Sequence, residues 1–356
     1  MKRNVAFWFL SGLLAATGAL SPKVTAQSVP VVVDPRIELM GVVQLLNDYR
    51  LTTRYDFLYK QDARTYFARY QEHPAVTMFK EMSQANFNFD AVPKAMLALS
   101  KPPEMALRAP FPGDALARAG GTEKLDAYVE ALRDFARESQ FEVFFDAHQG
   151  TFDQVLERAR PAVDDSMEVL RRYAGVKLEG SAIILGMLLH HGGFSATIEP
   201  ASGTTEVYAL MGPVGGEQGL PAFGSARRMA VLAWHEFSHT FVNPLTTARM
   251  GELEKYAALY EPIAKEMARQ AYPNWNIAVS EHVVRAITTR LAYLEEGEET
   301  GAKALEGEEK RGFIYVAALA ERLKQYEADR QAYTTLADFY PQLVDVFREA
   351  AEKAAK

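Results

Sequence analysis

The stretch Val231-Leu232-Ala233-Trp234-His235-Glu236-Phe237-Ser238-His239-Thr240-Phe241 sets the reading of the whole chain. It reads as a helix, and at 3.6 residues per turn positions i and i+4 stand one above the other. His235 and His239 therefore offer two imidazole nitrogens to one point. Glu236 is turned about 100° away, beside that point and not on it. Two histidines able to hold a metal, with a glutamate set to take a proton from water, form the signature of a zinc hydrolase, usually a metalloprotease. The pattern arises by chance in roughly one chain in a hundred of this length, so its setting matters. Trp234, Phe237 and Phe241 share the opposite side, which predicts a buried back. Pro244 is expected to end the helix.

Working outward, Ser181–Leu189 is a continuous apolar run of strand length, and Phe194–Ile198 and Glu206–Met211 follow as shorter strands with a turn signal at Gly192-Gly193. They predict a small, largely antiparallel sheet leading into the helix Ala226–Val242, with Gly212–Pro221 as a loop between. An edge strand there could pair with an extended peptide. From Arg36 to about Gly180 the patterns are helical: Arg36–Tyr49, Ala63–Gln71, Pro74–Gln84, Thr122–Glu138 and Phe152–Ala174, the last with Pro161 as a kink or break. Pro102, Pro103, Pro110 and Pro112 mark an irregular connection. Beyond Pro244, Thr247–Ala271 reads as one long helix or as two broken near Pro262, Ile277–Leu294, Phe313–Tyr326 and Pro341–Ala351 read as helices, and Gly297–Gly307 as a loop. The expected class is α+β, mostly α. A helical region 27–180 packs with a site-bearing region 181–356 as one unit.

A catalytic zinc takes three protein ligands and leaves one position for water. Val242 and Leu245 stand where the metzincin pattern needs a glycine and a third histidine, which excludes that class. A glutamate on a later helix is the other common solution, and Glu252, Glu254, Glu261 and Glu281 are candidates, with His282 an outsider. On Ile277–Leu294 the residues Ile277, Val284, Ile287, Leu291 and Leu294 form one stripe. Glu281 lies at its edge beside Arg285 and Thr288, whereas His282 points toward solvent. A carboxylate at the rim of a buried face is costly without a cation or metal, so Glu281 is the expected ligand. Its alternative partner is Arg285, one turn on. Asn243, four residues after His239, is placed to orient a ligand or to cap the helix. Arg285 and Tyr340 are candidate oxyanion donors. His148 reads as an exposed loop residue. His190-His191 ends a strand, one ring packed and one exposed by alternation.

His235-Glu236-Phe237-Ser238-His239 followed by a glutamate on a downstream helix resembles the gluzincin branch of zinc metallopeptidases. The longer string His235-Glu236-Phe237-Ser238-His239-Thr240-Phe241-Val242-Asn243-Pro244, with Glu281 and Val284-Arg285-Ala286, is similar to an uncharacterised family of secreted bacterial metallopeptidases over roughly the second half of the chain. The resemblance implies a zincin-like fold and one zinc on His235, His239 and Glu281. It also implies Glu236 as general base and a peptide or protein as substrate. Thermolysin-like relatives carry an aspartate four residues after the ligand glutamate, where this chain has Arg285. The aminopeptidase spacing would place that glutamate at Ala258, which excludes the subgroup. Two rival classes are a catalytically silent binding protein on the same scaffold and a zinc hydrolase of another amide or ester. Glu236 weighs against the first, because metal binding needs the histidines and only chemistry needs that glutamate.

Composition bounds the rest. The 356 residues carry a net charge of −7 and no basic tract, a poor match to nucleic acid. The absence of cysteine removes disulfides and thiolate zinc ligands, so any metal must use histidine and carboxylate. Lys2 and Arg3, an apolar run from Val5 to Leu20, and Val24-Thr25-Ala26 predict a signal peptide ending at Ala26, hence export to the periplasm or the exterior. No later run approaches about 18 uninterrupted apolar residues, so no transmembrane anchor is expected.

Overall fold

The computed structural model describes residues 29–52, 54–177, 180–201 and 203–355. The expected signal peptide, 1–26, lies outside the described residues. The chain is mostly helical around one small sheet, which agrees with the α+β reading. No described helix is long and apolar enough to cross a membrane.

Strand β1 (Val31–Val32) is followed by eight helices: α1 (Pro35–Leu46), α2 (Leu58–Phe67), α3 (Pro74–Gln84), α4 (Ala91–Leu97), α5 (Gly113–Ala119), α6 (Thr122–Glu138), α7 (Phe141–Ala147) and α8 (Gln149–Ala174). Strands β2 (Ser181–Leu185), β3 (Gly192–Ile198) and β4 (Glu206–Gly212) complete the sheet, in the order β1-β2-β4-β3. β1, β2 and β4 are parallel and only β3 runs antiparallel, against β4. The sheet is thus mixed and not largely antiparallel. The short gaps between strands suggested simple hairpins, but β3 folds back outside β4, so β4 slots beside β2. Helices α1–α8 form the crossover that makes β1 and β2 parallel.

The apolar run from Ser181 does not stay a strand to Leu189. It turns at Gly186, where a Cβ would come within 2.7 Å of Leu189 Cβ. The buried Glu38 of α1 holds that turn by accepting from Met187 N at 2.7 Å and from the Tyr59 hydroxyl at 3.0 Å. The stretch read as a loop after β4 contains a hairpin, β5 (Gly215–Glu217) and β6 (Leu220–Ala222). Gln218 and Gly219, both at positive φ, make its two-residue turn.

Helix α9 (Ala226–Ala248) follows, capped by Ser225 accepting from Arg228 N. It runs through Pro244 and does not stop there, with Thr246 Oγ1 donating to Val242 O at 3.0 Å across that turn. Pro161 likewise sits inside an unbroken α8. Trp234 and Phe237 are buried on the back of α9, and Trp234 Nε1 donates to Ser166 O of α8 at 2.8 Å. The segment 247–271 is broken near Pro262, the second of its two readings: α10 (Met250–Leu253) leads into a 3₁₀ segment (Glu254–Ile263) carrying Pro262, and α11 (Ala264–Arg269) follows. Then come α12 (Trp275–Glu296), α13 (Glu298–Lys310), α14 (Val316–Ala328) and α15 (Leu336–Ala354). The segment Gly297–Gly307, read as a loop, belongs mostly to α13. Its glutamates, alanines and lysine favour a helix, and Gly301 lets Tyr293 pack where a Cβ would strike the ring.

α12 is packed between α9, α13 and α14. Every residue from Ala278 to Ala292 is buried, while Ile277 and Leu294, the expected ends of its apolar stripe, are exposed. His282 is therefore fully buried and not solvent-facing. Phe313 and Tyr315, between α13 and α14, cover it, which the stripe could not reveal.

Candidate metal centre

α9 stacks His235 and His239 one turn apart, and α12 packs against it so that Glu281 meets both. His235 Nε2 and His239 Nε2 are 3.2 Å apart. His239 Nε2 lies 3.1 Å from Glu281 Oε1, and His235 Nε2 lies 3.8 Å from Glu281 Oε2. Ligands about 2.0–2.1 Å from a tetrahedral zinc sit about 3.3–3.4 Å from one another, so these three side chains have the spacing to hold a metal ion. No other such group occurs among the described residues. Glu252, Glu254 and Glu261 lie outside it, as does His282.

The neighbours of the three residues hold them in a ligating form. Asn243 Oδ1 is 3.2 Å from His239 Nδ1. By accepting from that nitrogen it places the proton on Nδ1 and leaves the Nε2 lone pair facing His235 and Glu281. Arg285 Nε stands 3.0 Å from Glu281 Oε2, yet neither atom makes an aligned hydrogen bond. The pair is electrostatic and leaves the oxygen's lone pairs for another partner. The rest of the guanidinium is committed elsewhere. Nη1 donates to Glu308 Oε2 at 3.1 Å, Nη2 to the Tyr272 hydroxyl at 3.1 Å, and Phe313 lies beneath at 4.0 Å. Arg311 secures the other oxygen of Glu308. Arg285 is thus a clamp on Glu281, engaged at all three nitrogens.

Charge separates the two histidines. Burial pushes the His235 imidazole down to about 3. Burial opposes the His239 cation too, but the hydrogen bond and charge of Glu281 outweigh it and hold His239 above the usual histidine value. Burial opposes the Glu281 carboxylate; His235, His239 and Arg285 outweigh it and keep the carboxyl well below the usual range.

Glu236 differs. It is 6% exposed and has no hydrogen bond or ion pair with any described residue. Burial pushes its carboxyl up to about 7, with His239 and Arg285 pulling down and Glu281 adding to the rise. Over it passes β3. A Cβ on Gly193 would lie 2.8 Å from Glu236 Oε1 and 2.6 Å from Leu232 Cδ1, so only glycine lets the strand approach this closely. The outer edge of β3 makes no backbone hydrogen bond to any described residue.

The remaining sequence candidates fall outside the group. Tyr340 is buried and its hydroxyl is 2.5 Å from Thr246 Oγ1, about two turns beyond His239. His190 and His191 sit in the β2–β3 connection and do not end a strand. His190 is packed between Phe89 and Phe194, while His191 is exposed. His148 is half-buried between Tyr59 and Phe144 and not exposed, with Nδ1 2.8 Å from Phe144 O. Sequence reasoning missed Gly193, Tyr272 and Glu308. Gly192-Gly193 had the signal of a turn, and Glu308 lay in a glutamate-rich stretch with nothing to set it apart from its neighbours.

Two imidazoles and a carboxylate from facing helices, beside a buried unpaired glutamate, define a candidate metal-binding site. The chain belongs to a family described as a domain of unknown function (DUF4932), whose model matches residues 29–346. No curated protein and no solved structure matches it.

Proposed function

We propose that the chain is a zincin-like, zinc-dependent peptidase of the gluzincin kind, with one zinc on His235, His239 and Glu281 and with Glu236 as general base. The observation that carries this reading is Glu236. A buried carboxylate without a partner destabilises a fold and has no part in holding the ion, so its place beside the triad points to proton transfer. The same observation disfavours a silent binding scaffold. The donor set also fits the metal: two imidazole nitrogens and one carboxylate oxygen, no thiolate, Asn243 beside the far nitrogen of His239 and an oxygen on Glu281 without an aligned donor.

A zinc ion bound there would supply Lewis acidity, ionising water near neutrality and polarising the scissile carbonyl. The chain's own residues supply the remainder. Glu236 takes the proton of the attacking water and passes it to the leaving amine. Asn243 and Arg285 keep His239 and Glu281 oriented. The free edge of β3 offers backbone groups to an extended peptide and carries it across Glu236 at Gly193. Export by the segment ending at Ala26 would put this activity on peptides or proteins in the periplasm or outside the cell.

The test is hydrolysis of a quenched-fluorescent peptide panel by the purified chain and its Glu236→Gln variant. Removing a general base costs about 10²–10⁴-fold, so the variant should be nearly inactive with its fold unchanged. Equal cleavage by both proteins, or none by either, overturns the reading.

A further inference from the structure

The chain holds 46 acidic residues against 39 basic ones, so a group of cations without carboxylate partners stands out. One lies at the amino-terminal end of β3. Arg54 Nη1 is 3.4 Å from His191 Nε2, and both side chains are exposed. Arg228, in the first turn of α9, is exposed nearby and its charge is felt by His191. Neither arginine forms an ion pair with a described residue. Arg54 and His191 line a small, solvent-open recess, with Tyr55, Leu188 and Pro213 among its apolar walls. Lys60 also lines it and is 3% exposed. Its ammonium donates to Thr52 O at 2.8 Å and to Tyr55 O, which uses two of its three hydrogens. The nearby acid, Asp56, makes no ion pair with it and gives its oxygens to Phe57 N and Gln61 Nε2. The charge of Asp56 reaches Lys60 without pairing with it; a buried ammonium without a direct ion-pair partner is costly, and an anion at the recess would offset that cost.

The recess has a fixed relation to the metal group. None of the triad lines it, but His191 stands two residues before Gly193, which covers Glu236. That is about 7 Å of strand. Arg228 precedes His235 by two turns on the same helix face, about 10 Å. From these positions we infer that Lys60, Arg54, His191 and Arg228 bind a carboxylate of the substrate, either its C-terminus or an acidic side chain. This rests on the peptidase reading and supplies a substrate class for it. A peptide antiparallel to β3 runs its carboxyl-terminal side toward His191. The bond cut is then two or three residues on the amino side of the bound carboxylate.

The experiment is calorimetric titration of the Glu236→Gln protein with N-acetylated hexaalanine as its free acid, as its carboxamide, and as the carboxamide with glutamate at the fifth position. The carboxylate should add about tenfold or more in affinity over the plain amide, the scale of a charge-assisted hydrogen bond. Tight binding of the free acid alone assigns the C-terminus; tight binding of the glutamate amide as well assigns any acidic group. Arg54→Ala combined with Arg228→Ala, both at exposed positions, should remove the difference. Equal or undetectable binding of acid and amides overturns the proposal. Cleavage of the same peptides by the wild-type chain reports separately on the peptidase. Acid-selective binding without cleavage leaves the recess standing, and cleavage without selectivity leaves the peptidase standing.

Discussion

Arg285 Nε lies 3.0 Å from Glu281 Oε2, one turn away on α12, and the same guanidinium reaches Glu308 on α13. A cation therefore stands one turn after the glutamate of the triad, and its target is that glutamate and not a histidine. Arg285→Ala should lower metal affinity about 10–100-fold, as loss of an outer partner does. It should also destabilise by about 3–5 kcal/mol, because the buried Glu281 loses its arginine and Glu308 is left with Arg311 alone. Arg285→Lys should restore little of either, lacking the fork that spans Glu281, Glu308 and Tyr272. Metal titration with thermal melts of the three proteins checks this.

The neighbours Glu281 and His282 should separate cleanly. Glu281→Ala removes one of three donors and should abolish tight binding of the ion. His282→Ala should keep about one ion per chain but melt lower, since a buried ring between Phe313 and Tyr315 is lost. The reverse pattern would place the third ligand on His282.

His282 also predicts a pH dependence. Burial pushes its imidazole down to about 4, against about 6.5 in an unfolded chain. Between these values the unfolded chain binds the extra proton, so this residue costs stability as pH falls from about 6.5, reaching about 3 kcal/mol near pH 4. Denaturant unfolding of metal-free wild type and His282→Phe across that window should show the wild type losing stability relative to the variant as pH drops. Parallel curves would refute the buried neutral imidazole.

Gly193→Ala tests the contact between β3 and the general base. The added methyl would meet Leu232 Cδ1 at 2.6 Å and Glu236 Oε1 at 2.8 Å, so strand or carboxylate must shift. Since misplacement by about 1 Å can cost 10²-fold, kcat should fall by that order while metal content stays the same. An unchanged kcat would show that Gly193 is not needed against the site.

What the chain revealed in advance was local. The i, i+4 histidines, the buried back formed by Trp234 and Phe237, and Glu281 at the edge of a stripe follow from helical angles alone. What stayed hidden depends on partners far along the chain. β1 has two residues, so its parallel pairing with β2 leaves no periodic trace, and the strand pattern alone points to a largely antiparallel sheet. His282 looks exposed from its own helix alone because Phe313 and Tyr315, which cover it, lie roughly thirty residues on, as does Glu308, the anchor of Arg285. Pro244 suggests an end to α9, but Val242 before it and Thr246 after it are buried and keep the helix going to Ala248.

The claim that His235, His239 and Glu281 form one zinc site is tested most directly by elemental analysis of the purified chain beside His239→Ala. The account predicts about one zinc per wild-type chain, as one three-ligand site implies, and a loss of most of it in the variant. A wild-type chain without transition metal, or a His239→Ala protein that keeps its full complement, would contradict it.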